Sequence, residues 1–216
     1  MKNFVFVCAS VVLFPVVAHA QDYLYINNPL NDGNTITGDI VDSALGVDVD
    51  AYIGSLNGTL DDNGSDTFLP MFDCVDIQDD ISIPTSYQVT PTPVWNAAAW
   101  LISNEGYPAG GLTDAQDAGL QLAIWDVTFP GVTFSNVTGE GSGLTDPTYW
   151  EGVYLAADNN GANMSEGLEL IHVGSYGQNM ELAPPSGQGN IPGLPGPLAA
   201  LPFLGGLAAR RRRNSK

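Results

Sequence analysis

The chain has 216 residues, of which 24 are acidic and only six are lysine or arginine, so its formal net charge is −18. Every lysine and arginine is either Lys2 or part of residues 210–216. Such a chain cannot neutralise phosphates over most of its length, which excludes nucleic acid as a partner.

The first 20 residues have the pattern of a secretory signal peptide. Lys2 precedes an apolar run, and the small residues Ala18 and Ala20 form a cleavage site. We therefore expect export, with a mature domain at about 21–183. Removal of the signal leaves Cys74 as the single cysteine, which excludes a disulfide within the chain.

The first half of the domain has the alternating pattern of β-strands. Candidate strands at 35–41, 47–53 and 68–77 are separated by turn-forming Asn, Asp and Gly residues. Cys74 lies on the third of them. The pattern predicts a β-rich α+β domain built on an antiparallel β-sandwich.

A helical insertion is expected at about 93–160. Residues 93–102 favour a helix. Thr113 and Gln116 have the spacing of a capping box, which predicts a helix from there to about 127. A third helix is expected at 148–158, after Pro147, and a strand follows from 168.

The C-terminal residues have the pattern of a membrane-sorting tail. Residues 184–190 form a Pro/Gly linker, residues 191–209 carry no charge, and residues 210–216 are basic. The uncharged span is just sufficient to cross a bilayer, which needs about 20 residues, and the arginines would keep the tail cytoplasmic. The alternative is a disordered basic tail. The residues that define this segment are Pro195, Pro197, Arg210, Arg211, Arg212 and Arg213.

Metal and hydrolase sites are poorly supported. The acidic stretch 61–66 lacks the ligand spacing of a helical calcium loop, and turn chemistry explains it better. Cys74 and His172 cannot supply the usual zinc ligand set, and His172 alone does not indicate a catalytic triad. We expect no cofactor.

Gln121 is the most unusual residue of the predicted second helix. Ala118, Leu122 and Trp125 lie on one helical face, and Gln121 falls within the same apolar stripe. A buried amide without partners costs about 1–3 kcal/mol. Gln121 is therefore either hydrogen-bonded or no longer an amide, and the solitary Cys74 suggests an internal thioester between the two side chains.

The residues around this pair resemble a known family. Cys74-Val75-Asp76-Ile77 and Leu120-Gln121-Leu122-Ala123-Ile124-Trp125 resemble the bacterial surface thioester domains, also called TQXA domains, on proteins with a PEP-CTERM sorting tail. The resemblance spans about 67–129 and the tail. It implies a thioester between Cys74 and Gln121, with Leu120 and Ile124 as the apolar motif positions and Trp125 after them.

The chain departs from the family pattern in two places. Asp73 stands directly before the cysteine, where the family often has an aromatic residue. Leu194-Pro195-Gly196-Pro197 lacks the glutamate of the Pro-Glu-Pro sorting signal.

The resemblance implies a covalent attachment module of the cell surface. An amine- or hydroxyl-bearing surface molecule or exopolysaccharide would attack the thioester once, so the protein would not be an enzyme in the ordinary sense. A sorting protease of the inner membrane would process the tail, leaving the protein in the envelope or released. The alternatives are an unreactive domain with a structural Cys74 and Gln121, a noncovalent matrix protein, or a carbohydrate-binding module that uses tryptophans.

Overall fold

The computed structural model describes residues 22–29, 36–62, 64–78, 83–106, 111–138, 143–173 and 178–182. The strands in these residues are β1 (Asp22–Pro29), β2 (Thr37–Asp42), β3 (Val47–Tyr52), β4 (Leu56–Asp62), β5 (Ser65–Cys74), β6 (Thr85–Asn96), β7 (Thr133–Ser135), β8 (Ser165–His172) and β9 (Met180–Leu182). The α-helices are α1 (Ala97–Glu105), α2 (Asp114–Thr128) and α3 (Pro147–Ala157), and a short 3-10 helix, Gly143–Thr145, precedes α3.

Six strands close into an antiparallel barrel in the order β1-β4-β5-β9-β8-β6. The barrel closes because β1 pairs with β4 on one side and with β6 on the other. The strands β3, β2 and β7 form a separate sheet in that order. The predicted β-rich α+β class with antiparallel strands is confirmed, but the predicted sandwich is wrong. Alternation shows that one face of a strand is buried, and it does not specify whether the edges of a sheet meet.

The helices begin at capped positions. The first helix starts four residues later than predicted, because residues 93–96 extend β6 and pair with β8. Asn96 then caps α1, its side-chain oxygen accepting a hydrogen bond from Ala99 N at 2.7 Å. The predicted capping box of Thr113 and Gln116 is confirmed at the start of α2. The predicted insertion contains all three helices and also β7.

Helix α2 lies between two apolar cores. One face, with Ala118, Leu122 and Trp125, packs into a cluster that fills the barrel and reaches the second sheet, which we call the barrel cluster. Another face, with Leu120 and Ile124, packs against α1 and α3 in a second cluster, which we call the helix cluster. The barrel cluster includes Leu24, Ile40, Leu60, Leu69, Phe72 and Cys74; the helix cluster includes Met71, Val75, Leu101, Ile102 and Tyr154.

Gly119 allows α2 and α3 to approach closely. A Cβ at this position would lie 2.5 Å from the Trp150 Cβ and 2.7 Å from the Pro147 carbonyl oxygen. Backbone atoms at this distance cannot move aside without displacing α3. Gly152 on α3 has open space instead.

The segments with the predicted signals lie outside the described residues. These are residues 1–20, with Ala18 and Ala20, and residues 184–216, with the linker, the apolar segment and the arginines. Among the described helices, none has the length and apolar character needed to span a bilayer.

We predict that Gly119→Ala lowers the free energy of unfolding by about 1–3 kcal/mol, because the new methyl group overpacks the contact between α2 and α3. Gly152→Ala is the matched control. It adds the same methyl group to an exposed helical position and should raise stability by up to about 1 kcal/mol. Urea unfolding measures both variants, and equal effects would contradict the close approach.

Candidate functional site

The structure brings Cys74 and Gln121 together, although 47 residues separate them in the chain. The Gln121 Oε1 accepts a hydrogen bond from Cys74 N at 3.1 Å, and Gln121 Nε2 donates one to the Cys74 carbonyl oxygen at 2.7 Å. Gln121 has no exposed surface, and Cys74 is 5% exposed. Both the oxygen and the nitrogen of the buried amide therefore have a partner, and its carbonyl carbon is held beside the backbone of Cys74.

This contact arises because β5 extends beyond its neighbour β4. The two strands pair only as far as Leu56 and Phe72, so the backbone of Cys74 has no strand partner on that side. On the opposite side, Val75 N donates to Asn179 O at 3.0 Å, and Cys74 is in register with Met180 of β9. The Gln121 side chain occupies the open side and satisfies both backbone groups of Cys74, as a strand would.

The Cys74 thiol is in an apolar environment. It belongs to the barrel cluster together with Leu122 and Trp125, and its Sγ donates a hydrogen bond to the Asp76 carbonyl oxygen at 2.8 Å. Burial raises the pKa of this thiol to about 12. At neutral pH Cys74 is therefore a thiol, and thiolate chemistry at this sulfur needs local stabilisation.

A buried triad of one serine and two aspartates lies next to the Cys–Gln pair; the aspartates are on β5 and α2, and the serine directly precedes β4. Ser55 Oγ is 2.6 Å from Asp73 Oδ1 and 2.5 Å from Asp117 Oδ1. The three side chains are at most 1% exposed. Asp73 directly precedes Cys74 on β5, and Asp117 lies one helical turn before Gln121 on α2. The triad therefore joins β5 to α2 next to the site.

The geometry of the triad requires an additional proton. A serine hydroxyl has one hydrogen, so Ser55 can donate to only one of its two carboxyl neighbours. The other must be a protonated acid that donates to Ser55. Burial, followed by the charge of Asp117, raises the pKa of Asp73 to about 8. Asp117 also accepts from Ser55 N at 3.1 Å and lies in the first turn of α2, where negative charge is favoured.

Asp73 and its cross-strand neighbour Glu181 form a buried acidic pair of the barrel wall. The two residues are in register on β5 and β9. Glu181 is 1% exposed, and its Oε2 accepts a hydrogen bond from Asn96 Nδ2 at 3.1 Å. Burial raises the pKa of Glu181 to about 7, although the bond to Asn96 lowers it.

The other residues proposed from the sequence have different positions. Leu120 and Ile124 are fully buried in the helix cluster, whereas Trp125 lies in the barrel cluster with Cys74. His172 is half-buried, and its ring is 4.9 Å from that of Tyr87. Asp61 Oδ1 accepts a bond from Gly64 N at 2.6 Å, which is turn chemistry.

Sequence reasoning missed Ser55, Asp117 and Glu181. Asp117 had a detectable signal, because it lies four residues before Gln121 on the same helical face. Within the described ranges, no group of three or more His, Cys, Asp or Glu side chains is arranged to hold a metal ion. A scan against protein-family models and searches of curated proteins and of solved structures found no match.

We predict that the protein loses stability as pH rises from about 4 to about 8. The folded-state pKa of Asp73 lies above its unfolded value of 3.8, so the folded state binds this proton more tightly. The resulting stability is complete below the unfolded pKa and is lost as pH rises through the folded one. Each pH unit in this window lowers the free energy of unfolding by up to about 1.4 kcal/mol.

Asp73→Asn tests this cause because asparagine keeps the shape and the donor of a neutral acid. The variant should unfold with a smaller dependence on pH than the wild type, and it should be the more stable of the two at pH 8. Asp48→Asn on β3 removes an exposed carboxylate and serves as the control for overall charge. Thermal unfolding at pH 5 and pH 8 measures all three proteins, and an unchanged pH dependence in Asp73→Asn would refute the assignment.

Proposed function

We propose that this chain is an exported surface protein whose domain forms an internal thioester between Cys74 and Gln121. The observation that carries this proposal is the engagement of both backbone groups of Cys74 by the Gln121 side chain, at 3.1 and 2.7 Å. The carboxamide is thereby held against the backbone of the residue that carries the solitary thiol, inside an apolar core. The resemblance of the surrounding motifs to surface thioester domains supports the same reading.

The reaction requires no external oxidant or cofactor. The Cys74 sulfur attacks the side-chain carbonyl carbon of Gln121, the carbon–nitrogen bond breaks, and ammonia leaves with the thiol proton. The product is a thioester and one ammonia. Because the residues are held in place before reaction, the step has the advantage of an intramolecular attack.

The surroundings suit a stored electrophile. Gln121 exposes no surface, and the apolar neighbours Leu122 and Trp125 are at most 2% exposed, so bulk water has little access to the bond. Residues 21–209 contain no lysine, so neither the domain nor an identical neighbour offers a side-chain amine that could consume it.

The thioester would act once, by acyl transfer to a partner. An amine or hydroxyl on a surface molecule or exopolysaccharide attacks the Gln121 carbonyl carbon, and Cys74 leaves as a thiol. The partner is then linked to Gln121 by an amide or ester. Since the reacting carbon is buried, attack requires a local opening of the site, and small amines should react faster than large ones.

The sequence features of residues 1–20 and 184–216 place this reaction at the cell envelope in our proposal. The signal peptide would export the domain, and the apolar segment with its arginines would hold it in the inner membrane until a protease cuts the tail.

A noncovalent carbohydrate-binding role is the second candidate. Trp95 at the end of β6 is 63% exposed, and exposed tryptophans are suitable platforms for sugar rings. Binding of this type would survive Cys74→Ala and would be lost in Trp95→Ala. The covalent proposal predicts instead that capture of the partner is lost in Cys74→Ala and survives in Trp95→Ala.

We predict that the purified domain captures a biotinylated alkylamine in an adduct that survives denaturation, and that Cys74→Ala and Gln121→Glu each abolish the capture. One bond needs both residues, so the double variant should be no worse than either single one. Gln121→Glu keeps the side-chain shape and an acceptor for Cys74 N.

The wild type, both single variants and the double variant should be compared at equal folded fraction, measured by circular dichroism. A purely structural thiol predicts instead that Cys74→Ala loses about 1–2 kcal/mol through a small cavity and that no protein captures the amine. Capture that persists in folded Cys74→Ala would rule out the mechanism.

We also predict that deletion of residues 191–216 releases the domain from the envelope into the medium, because the uncharged segment and its arginines are removed together. Cell fractionation and immunoblotting measure the distribution. Identical fractionation of the truncated and full-length proteins would contradict the anchor.

A further inference from the structure

Trp125 carries a buried donor that the fold does not use. The side chain is 2% exposed, and its Nε1 makes no hydrogen bond with the part of the chain that the structure describes. Buried polar groups in native proteins are nearly always paired, so an exception of this kind calls for an explanation. Packing explains the size of the ring, but it does not give the N–H a partner.

The unpaired donor lies beside the proposed reaction centre. Trp125 follows Gln121 by one helical turn on α2, so the two side chains project from the same face. Gln121 is bonded to the backbone of Cys74, and Trp125 shares the barrel cluster with Cys74. The ring of Phe134 lies 6.2 Å from the indole and packs against it.

The influences on the pKa of the Cys74 thiol agree with a position of the Trp125 side chain close to the sulfur. Burial is the largest influence on the Cys74 thiol and raises its pKa, while interactions with the Asp76 backbone and with the Trp125 side chain lower it. Of the two groups that favour the thiolate, only Trp125 belongs to a side chain that a substitution can remove.

We propose that the indole N–H of Trp125 is the donor that stabilises the Cys74 sulfur whenever negative charge develops on it during formation and opening of the thioester. This inference rests on the proposed function and assigns a role to a residue that otherwise only supports the motif. The donor is unpaired in the resting site because the neutral sulfur is a weak acceptor, and it gains a partner as the sulfur becomes charged.

The opening step shows how the donor acts. An amine attacks the carbonyl carbon of the thioester, the carbon–sulfur bond breaks, and its electron pair moves to Cys74 Sγ. Trp125 donates a hydrogen bond to this sulfur without giving up its proton. The proton of the attacking ammonium then passes to the sulfur, so the products are the Gln121 amide and the Cys74 thiol.

The test is Trp125→Phe, which keeps an aromatic ring and removes the N–H. Trp100→Phe is the matched control, because Trp100 on α1 packs against the helix cluster. The rate of thioester opening by methylamine, followed by intact mass, should fall about tenfold or more in Trp125→Phe and remain unchanged in Trp100→Phe, since charge-assisted hydrogen bonds are the strong ones.

Comparison of fully folded proteins separates this role from a structural one. Phenylalanine is smaller than tryptophan, so Trp125→Phe should lower the thermal midpoint through a small cavity, and the opening rates are therefore compared at a temperature where every variant is fully folded. An equal opening rate in Trp125→Phe and the wild type would overturn the proposal, as would a fall in rate that disappears when the two proteins are compared fully folded.

A second measurement distinguishes failure of this inference from failure of the thioester itself. In the Gln121→Glu background no bond forms, and the alkylation rate of Cys74 by iodoacetamide at pH 9 reports the stability of its thiolate. Trp125→Phe should lower this rate by a similar factor. If the wild type shows no mass loss but Trp125→Phe slows alkylation, the thioester is wrong and the interaction of Trp125 with the sulfur is right. An alkylation rate that Trp125→Phe leaves unchanged overturns the Trp125 proposal, whether or not the thioester forms.

Discussion

The side chain of Gln121 completes the hydrogen bonding of β5 where the neighbouring strand ends. Backbone groups buried without partners are costly, so the open side of Cys74 needs a donor and an acceptor at the same place. A carboxamide is the side chain that offers both in the geometry of a peptide group. This requirement fixes the position of α2 against the barrel, and the proposed thioester chemistry depends on it.

The absence of cations shapes the rest of the site. Residues 21–209 contain no lysine or arginine, so buried carboxylates cannot be neutralised by ion pairs with these side chains. Burial instead raises the pKa of Asp73 to about 8 and that of Glu181 to about 7, which favours their protonated forms. The Ser55 hydroxyl then connects Asp73 to Asp117 and ties β5 to α2. Asp73, which directly precedes Cys74, is therefore a buried structural link.

Local chemistry made some features predictable and left others hidden. The capping box at Thr113 and the position of Gln121 in an apolar stripe are encoded within one or two turns, so the sequence predicts α2 closely. Closure of the barrel depends on the pairing of β1 with β6, about 60 residues away, and the alternating pattern is the same for a sandwich. The meeting of Cys74 and Gln121 was inferred from their unusual chemistry, whereas Ser55 resembled any loop serine because its partners come from two distant elements.

The central claim is that the buried thiol and amide react with each other. Intact mass spectrometry of the freshly purified domain, followed by peptide mapping at low pH, tests it most directly. The account predicts a mass lower than that of the sequence by one ammonia and a cross-linked peptide pair that contains Cys74 and Gln121. Treatment with methylamine should then raise the mass by one methylamine and separate the two peptides. A full mass in folded protein, with separate unmodified Cys74 and Gln121 peptides, would contradict it.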